Sequence, residues 1–125
     1  MEQIKTFFFD SYAFYEIIAK NPDYEKYKKD IAIITTRLNL MELHYGLLRT
    51  EGKDKADKIY DAYLEFAIEI NDSVIKKSNQ FRLENKDKKL SYVDCIGYTL
   101  AKENNARFLT GDQQFKEMEN VEFVK

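Results

Sequence analysis

The sequence has few of the residues that form cross-links, chain breaks or sharp turns: one cysteine, one proline and four glycines among 125 residues. A single cysteine, Cys95, excludes an intramolecular disulfide. Because no signal peptide is recognisable either, we expect a cytoplasmic protein. The scarcity of proline and glycine argues against long linkers, and the length fits a single domain over residues 1–125.

Long hydrophobic runs and an excess of one charge are also missing. No apolar stretch approaches the ~18 residues that a membrane-spanning helix needs, so we expect no membrane contact. The 20 basic and 22 acidic residues leave a net charge of −2, which does not by itself indicate a nucleic-acid-binding protein. Apolar residues nevertheless make up 44% of the chain, which is enough for a globular core.

The chain does contain a regular alternation of short apolar runs and helical patterns. The apolar runs predict strands at 4–9, 31–36, 67–70, 106–110 and 121–124. Apolar residues at helical spacing predict helices at 11–19, 37–50, 53–66, 73–84 and 91–104, with short helical turns at 23–30 and 113–118. This alternation indicates an α/β fold, which we expect to be a three-layer α/β/α arrangement around a central, mainly parallel sheet.

Four carboxylates occupy positions of interest in that fold. Asp10 directly follows the first strand, and Asp112 comes two residues after the strand that ends at Thr110. Glu42 and Asp94 each interrupt an otherwise apolar helix surface. Ligands of parallel sheets bind beyond the carboxyl ends of the strands, so at least two of these acids are expected at a binding edge.

Each acid also has an ordinary structural explanation. Asp10 is placed to cap the helix that follows it, and Ser91 and Asp94 have the spacing of a capping box. Asp112 follows Thr-Gly, a sequence typical of turns. Glu42 is harder to explain in this way, because an acid in the middle of a helix needs a partner if it is buried.

A shared site for all four acids would require a cation, because like charges raise one another's pKa. Carboxylate oxygens without a cluster of cysteine or histidine favour the hard ions Mg²⁺ and Mn²⁺ over zinc. Such ions keep several water ligands and commonly take phosphate oxygens as the remainder. The four acids, if they converge, therefore point to phosphate chemistry.

Three stretches resemble, in order, the successive motifs of the PIN-domain ribonucleases, a group that includes the VapC toxins of toxin–antitoxin pairs: FFFDSYAFYEII, LNLMELHYGLLR and LSYVDCIGYTLAKENNARFLTGDQQF. The resemblance covers nearly the whole chain. It implies a metal site formed by four carboxylates, with a supporting hydroxyl and an aromatic ring packed after the last acid. These residues are Asp10, Glu42, Asp94, Asp112, Thr110 and Phe115.

The resemblance also implies an activity and partners. We expect an endoribonuclease in which Mg²⁺ or Mn²⁺ activates a water molecule for in-line attack on a backbone phosphate of RNA. Members of the family form homodimers, and the toxin members are held inactive by a small antitoxin that inserts a basic residue into the acidic site. We therefore expect a homodimeric toxin of a type II toxin–antitoxin pair, with an antitoxin as a second partner.

Basic residues near predicted loops are candidates for contacts with the substrate. They are Arg37, Lys86, Lys88, Lys89 and Lys116, although a solvated charge is the simpler explanation for each one alone. His44 lies two residues from Glu42 and so on a different face of its helix, and we interpret it as structural. One bound divalent ion would raise the net charge from −2 to 0, so the acidic composition does not exclude RNA binding.

Other functions remain open at this point. The same fold would serve a housekeeping nuclease that processes RNA precursors without an antitoxin. It would also serve a non-catalytic PIN module that binds RNA or protein and whose acids are structural. A phosphatase of the doubly wound acidic type would normally have a second aspartate two residues after the first, where this sequence has Tyr12.

Overall fold

The computed structural model describes residues 4–125. Its helices and strands follow one another as β1 (Thr6–Phe9), α1 (Ser11–Ile18), β2 (Ala32–Ile34), α2 (Arg37–Glu51), α3 (Lys53–Tyr63), α4 (Asp72–Glu84), α5 (Tyr92–Glu103), β3 (Arg107–Thr110) and β4 (Val121–Phe123). Short 3-10 helices span Pro22–Tyr27, Leu64–Phe66 and Gln113–Phe115. No helix within the described part of the chain is long and apolar enough to cross a membrane.

The four strands form one parallel sheet in the order β2-β1-β3-β4. In its register, Phe8 of β1 lies beside Ile34 of β2 on one side and beside Phe108 of β3 on the other. Because every strand runs in the same direction, all four carboxyl ends meet at one edge of the sheet. The predicted α/β fold with a parallel central sheet is confirmed.

The three consecutive phenylalanines of β1 divide the core between the two faces of the sheet. Successive side chains of a strand point to opposite faces. Phe7 and Phe9 accordingly pack with Phe14 and Leu40 from α1 and α2, whereas Phe8 packs with residues of α4 and α5. Burying each ring contributes on the order of 2–3 kcal/mol, so the strand that ends at Asp10 is among the most firmly held parts of the molecule.

The prediction of a strand at 67–70 is wrong. The structure has a single bridge there, in which Thr35 N donates to Phe66 O and Ile68 N donates to Thr35 O, both at 2.9 Å. The segment bends away after this contact, because Asn71 caps α4 by accepting a hydrogen bond from Val74 N. Ile68 and Ile70 pack on the α4–α5 core without pairing as a strand, whereas Ala67 packs on the core of the opposite face of the sheet.

Helices α2 and α3 form a hairpin with Gly52 at the turn. The φ angle of Gly52 is +91°, a conformation that residues with a Cβ rarely adopt. His44 Nε2 lies 2.7 Å from Asp57 Oδ1 and so joins the two helices. The histidine therefore contacts the hairpin partner and not the carboxylates around Glu42.

Candidate active site

Asp10 is held at the carboxyl end of β1, where it also caps α1. Its Oδ1 accepts a hydrogen bond from Ala13 N at 2.9 Å, and only 5% of the residue is exposed. Burial raises the pKa of this carboxyl to about 7, helped by the charges of Asp94 and Asp112 and opposed by hydrogen bonds from Thr110 and Ala13. A carboxyl this poorly solvated is half protonated near neutral pH unless a cation compensates it.

Glu42 reaches the same edge from the second turn of α2. Its Oε1 accepts a hydrogen bond from Ser11 Oγ at 2.6 Å, which ties α2 to the start of α1. Although the residue as a whole is exposed, partial burial of its carboxyl raises the pKa, the Ser11 hydrogen bond lowers it and the charge of Asp94 raises it. The partner that a mid-helix acid was expected to need is therefore the Ser11 hydroxyl.

Asp94 lies in the first turn of α5 and forms the predicted capping box. Ser91 Oγ accepts from Asp94 N, and Asp94 Oδ2 accepts from Ser91 N, both at 3.0 Å. Burial raises the pKa of Asp94, the Ser91 hydrogen bonds lower it, and the charge of Asp112 raises it further. The capping role fixes the carboxylate at the positive end of the helix.

Asp112 follows β3 and starts the short helix Gln113–Phe115. Its Oδ1 accepts from Gln114 N at 3.0 Å, and its own N–H donates to Thr110 Oγ1 at 3.1 Å. Thr110 is fully buried, and its hydroxyl group forms hydrogen bonds with both strand-end acids, Asp10 and Asp112. Phe115 is fully buried as well, and its ring lies 4.7 Å from that of Phe108. This packing holds the turn that contains Asp112 against the core.

These side chains surround one open cleft of about 380 Å³. Its walls comprise Asp10, Ser11, Tyr12, Glu42, Asp94, Gly111, Asp112, Gln113 and Lys125. The structure thus brings together all four acids that the sequence indicates. Among residues 4–125, no lysine, arginine or histidine forms an ion pair with any of the four. The cleft is therefore a concentration of negative charge, in which Lys125 lines the wall but does not pair with a carboxylate of the described residues.

Structural and functional explanations of these acids prove to be compatible. Each carboxylate uses one oxygen to cap a helix or to accept the Ser11 hydroxyl. For Glu42, Asp94 and Asp112, the second oxygen accepts no hydrogen bond from residues 4–125. The capping contacts therefore orient the carboxylates and leave oxygens available to a ligand in the cleft.

The donor set suits Mg²⁺ or Mn²⁺, because it offers only oxygen and neither cysteine nor histidine lines the cleft. Within the described range, however, no three acidic, histidine or cysteine side chains are grouped closely enough to hold an ion as they stand. Mutual repulsion of the carboxylates favours this separation.

The basic residues predicted around the pocket lie elsewhere. None of Arg37, Lys86, Lys88, Lys89 and Lys116 is among the residues that line the carboxylate cleft. Lys116 lies over the Phe123 ring, 6.0 Å from its centroid, and the lysines at 86 and 88 line a different cleft.

The sequence also does not identify Ser11 as a partner of Glu42. Its one signal is a hydroxyl placed directly after the strand-end Asp10.

Comparison with known proteins identifies the family to which this fold belongs. The family model of the PIN domain matches residues 7–121. The chain therefore belongs to the PIN domain family, as the motifs predict.

Solved structures of low sequence identity share the fold. A toxin–antitoxin complex from Klebsiella pneumoniae is 16% identical with a TM-score of 0.74, and the match covers 93% of this chain and 95% of that one. VapC20 from Mycobacterium tuberculosis, described as a toxin that cleaves the sarcin–ricin loop, is 15% identical with a TM-score of 0.74 over 94% and 96%. VapBC2 from Rickettsia felis, bound to a promoter DNA fragment, is 20% identical with a TM-score of 0.71 over 95% and 97%. A search of curated proteins finds no match.

Proposed function

We propose that this PIN-domain protein is a metal-dependent endoribonuclease and the toxin of a type II toxin–antitoxin pair. The observation that carries the proposal is the group of four carboxylates, without an ion pair among residues 4–125, at the carboxyl edge of the parallel sheet, where Lys125 also lines the cleft wall. Negative charge at this density is costly unless a cation, a basic partner or protons neutralise it. An RNA phosphate could enter such a cleft only together with a cation.

In this proposal, Asp10, Glu42, Asp94 and Asp112 hold Mg²⁺ or Mn²⁺. Such an ion, when bound, would supply the Lewis acidity that phosphodiester hydrolysis needs. The chain's own residues position these ligands. Ser11 fixes Glu42 by its hydroxyl, and the capping contacts of Asp10, Asp94 and Asp112 fix the other three carboxylates.

Thr110 has a supporting role in the same scheme. Its buried hydroxyl contacts Asp10 and accepts from the backbone N–H of Asp112, so it sets the spacing between the two strand-end acids. No histidine among residues 4–125 lines the cleft, so no histidine is assigned as general base. His44 is occupied with Asp57 in the α2–α3 hairpin.

The toxin assignment has support of a different kind. The Klebsiella pneumoniae and Rickettsia felis structures are complexes of toxin–antitoxin systems that share this fold at low identity. A cleft with four carboxylates and one lysine in its wall would also accept the basic side chain of an antitoxin. A homodimer and a small antitoxin are accordingly part of the proposal, as is RNA as the substrate.

Cleavage of labelled RNA, with Mg²⁺, Mn²⁺ or EDTA, tests the enzymatic part. Asp94→Asn is the informative variant, because the amide oxygen can still accept from Ser91 N while the second oxygen is lost. We expect metal-dependent cutting by the wild type and a loss of at least about 100-fold in the variant. Asp23→Asn, an exposed acid outside the cleft, should cut like the wild type. Equal cutting with and without EDTA would refute metal dependence.

A growth assay tests the toxin assignment separately. Induced expression in a bacterial host should slow growth, and expression of Asp94→Asn should not. If the wild type cuts RNA in vitro but never slows growth, a housekeeping nuclease becomes the better assignment. If neither metal binding nor cutting is found, the four acids are structural and the protein is a non-catalytic binding module.

A further inference from the structure

A second cleft lies between the end of α4 and the start of α5. It measures about 440 Å³, and its walls include Arg82, Lys86, Lys88 and Tyr92. We call these four residues and the space between them the basic cleft. The mechanism proposed above uses none of these residues.

The basic cleft has a rigid aromatic wall. The Arg82 guanidinium lies 4.2 Å from the centroid of the Tyr92 ring and is also fixed by a hydrogen bond from its Nε to Leu90 O at 3.2 Å. Tyr92 is nevertheless 62% exposed. One face of the ring is thus supported by a cation, and the remaining surface is open for a flat ligand to stack on it.

The positive charges of the basic cleft are not neutralised by acids within the described chain. Arg82, Lys86 and Lys88 form no ion pair with residues 4–125, whereas five other lysines do. The segment 82–89 carries four basic residues against Glu84 and Asp87, a net charge of +2 in a chain whose total is −2. Neither of these two acids lines the cleft.

The basic cleft adjoins the carboxylate cleft through the start of α5. Tyr92 is the first residue of α5, and Asp94 follows two positions later, on another face of the same turn. The lysine-bearing loop is also tied to the turn of Asp112, because Lys89 N donates to Gln114 Oε1 at 3.3 Å and Gln114 N donates to Asp112 Oδ1 at 3.0 Å. An extended, chain-like ligand that crosses the start of α5 could therefore contact both clefts.

We propose that the basic cleft binds the part of a single-stranded RNA that flanks the cleaved phosphate, with a base stacked on Tyr92 and phosphates contacted by Lys86 and Lys88. The inference rests on the proposed ribonuclease function. Single-stranded nucleic acid is the ligand that combines accessible base faces with a regular series of negative charges. Duplex RNA keeps its bases stacked and would leave the Tyr92 ring unused.

Binding of a fluorescent single-stranded oligoribonucleotide, followed by anisotropy, tests this inference in an Asp94→Asn background that leaves the RNA intact. Tyr92→Leu should weaken binding roughly 5- to 100-fold, and Tyr92→Phe should stay within about twofold. The pair Lys86→Gln and Lys88→Gln should reduce the slope of log affinity against log salt by about 1.4. The control is the pair Lys5→Gln and Lys29→Gln, which removes the same amount of charge. These two lysines precede β1 and β2 and so lie at the opposite edge of the sheet, and their replacement should leave the slope unchanged.

Three results would overturn the inference. The first is a Tyr92→Leu protein that binds RNA like the wild type, and the second is an equal reduction of the salt slope in the Lys86/Lys88 and Lys5/Lys29 variants. The third is tighter binding of a duplex than of the single-stranded RNA. Thermal unfolding of each variant shows whether a loss reflects misfolding, and Tyr92→Phe controls for the aromatic ring.

Cleavage assays on the same variants, without Asp94→Asn, separate the two proposals. Wild-type cutting with unchanged kcat/KM in the Tyr92→Leu variant would reject the basic cleft and keep the ribonuclease. Binding losses as expected, with no cutting by the wild type under any metal, would keep the basic cleft and reject the ribonuclease.

Discussion

Replacing Asp10 with asparagine should stabilise the metal-free protein at pH 8, although it removes a residue of the candidate active site. The carboxyl is 5% exposed, and burial raises its pKa from 3.8 to about 7. In the unfolded chain the same group ionises near pH 4. Between these values the folded state binds more protons than the unfolded state, so stability falls as the pH rises from about 4 to about 7.

The magnitude follows from the two pKa values. A difference of about 3 pKa units, at about 1.4 kcal/mol per unit, sets an upper limit of roughly 4 kcal/mol for the cost of the ionised carboxylate above pH 7. Asparagine carries no charge, and its side-chain oxygen can still accept from Ala13 N. We therefore expect Asp10→Asn to raise the free energy of unfolding by about 2–4 kcal/mol at pH 8 and by less at pH 5.

Urea unfolding in EDTA at pH 5, 6.5 and 8, followed by circular dichroism, measures the effect. Asp112→Asn is the matched control, because Asp112 caps a helix in the same way but is more exposed, so its replacement should change stability less. Addition of Mg²⁺ should stabilise the wild type and affect Asp10→Asn much less. A variant that is less stable than the wild type at pH 8, by an amount independent of pH, would refute this reasoning.

Two further predictions concern packing and assembly. Gly97→Ala should destabilise the fold by about 1–3 kcal/mol in urea unfolding, although alanine has the better helix propensity. The reason is that a Cβ would lie 2.8 Å from the Phe8 ring and 3.1 Å from the Phe108 ring. A variant more stable than the wild type would contradict this prediction. Light scattering at micromolar concentration should give a homodimer, since Met41 and Tyr45 expose apolar side chains on α2, and a monomer alone would contradict it.

The order and type of most elements could be predicted from the sequence, because the patterns that define them are local. FFFD predicts a buried strand with an acid at its end, and Ser91 with Asp94 predicts the start of α5; both are found. The segment 67–70 has the composition of a strand, but its pairing is limited to Thr35, which lies 32 residues earlier in the sequence. The start of α4 at Asp72 then ends the extended conformation, and the apolar composition of 67–70 does not reveal this.

The site divides in the same way. The four acids could be identified because each follows a strand or interrupts an apolar helix face, and the parallel sheet then brings them to one cleft. The basic residues could not be placed, because a lysine in a loop carries no sequence signal for the direction of its side chain. The Ser11–Glu42 hydrogen bond joins residues 31 positions apart, and no local pattern reveals it.

The sharing of carboxylate oxygens between capping and the cleft has an evolutionary consequence. Because Asp10, Asp94 and Asp112 each accept a hydrogen bond at a helix start, replacing them with a residue that cannot accept one would weaken the fold as well as the proposed site. A descendant that abandoned catalysis would be under pressure to replace these aspartates with asparagine or serine, which still cap, and not with alanine. Glu42 caps no helix, and among the described residues its carboxylate accepts only from the Ser11 hydroxyl, so that position would be the first of the four to change.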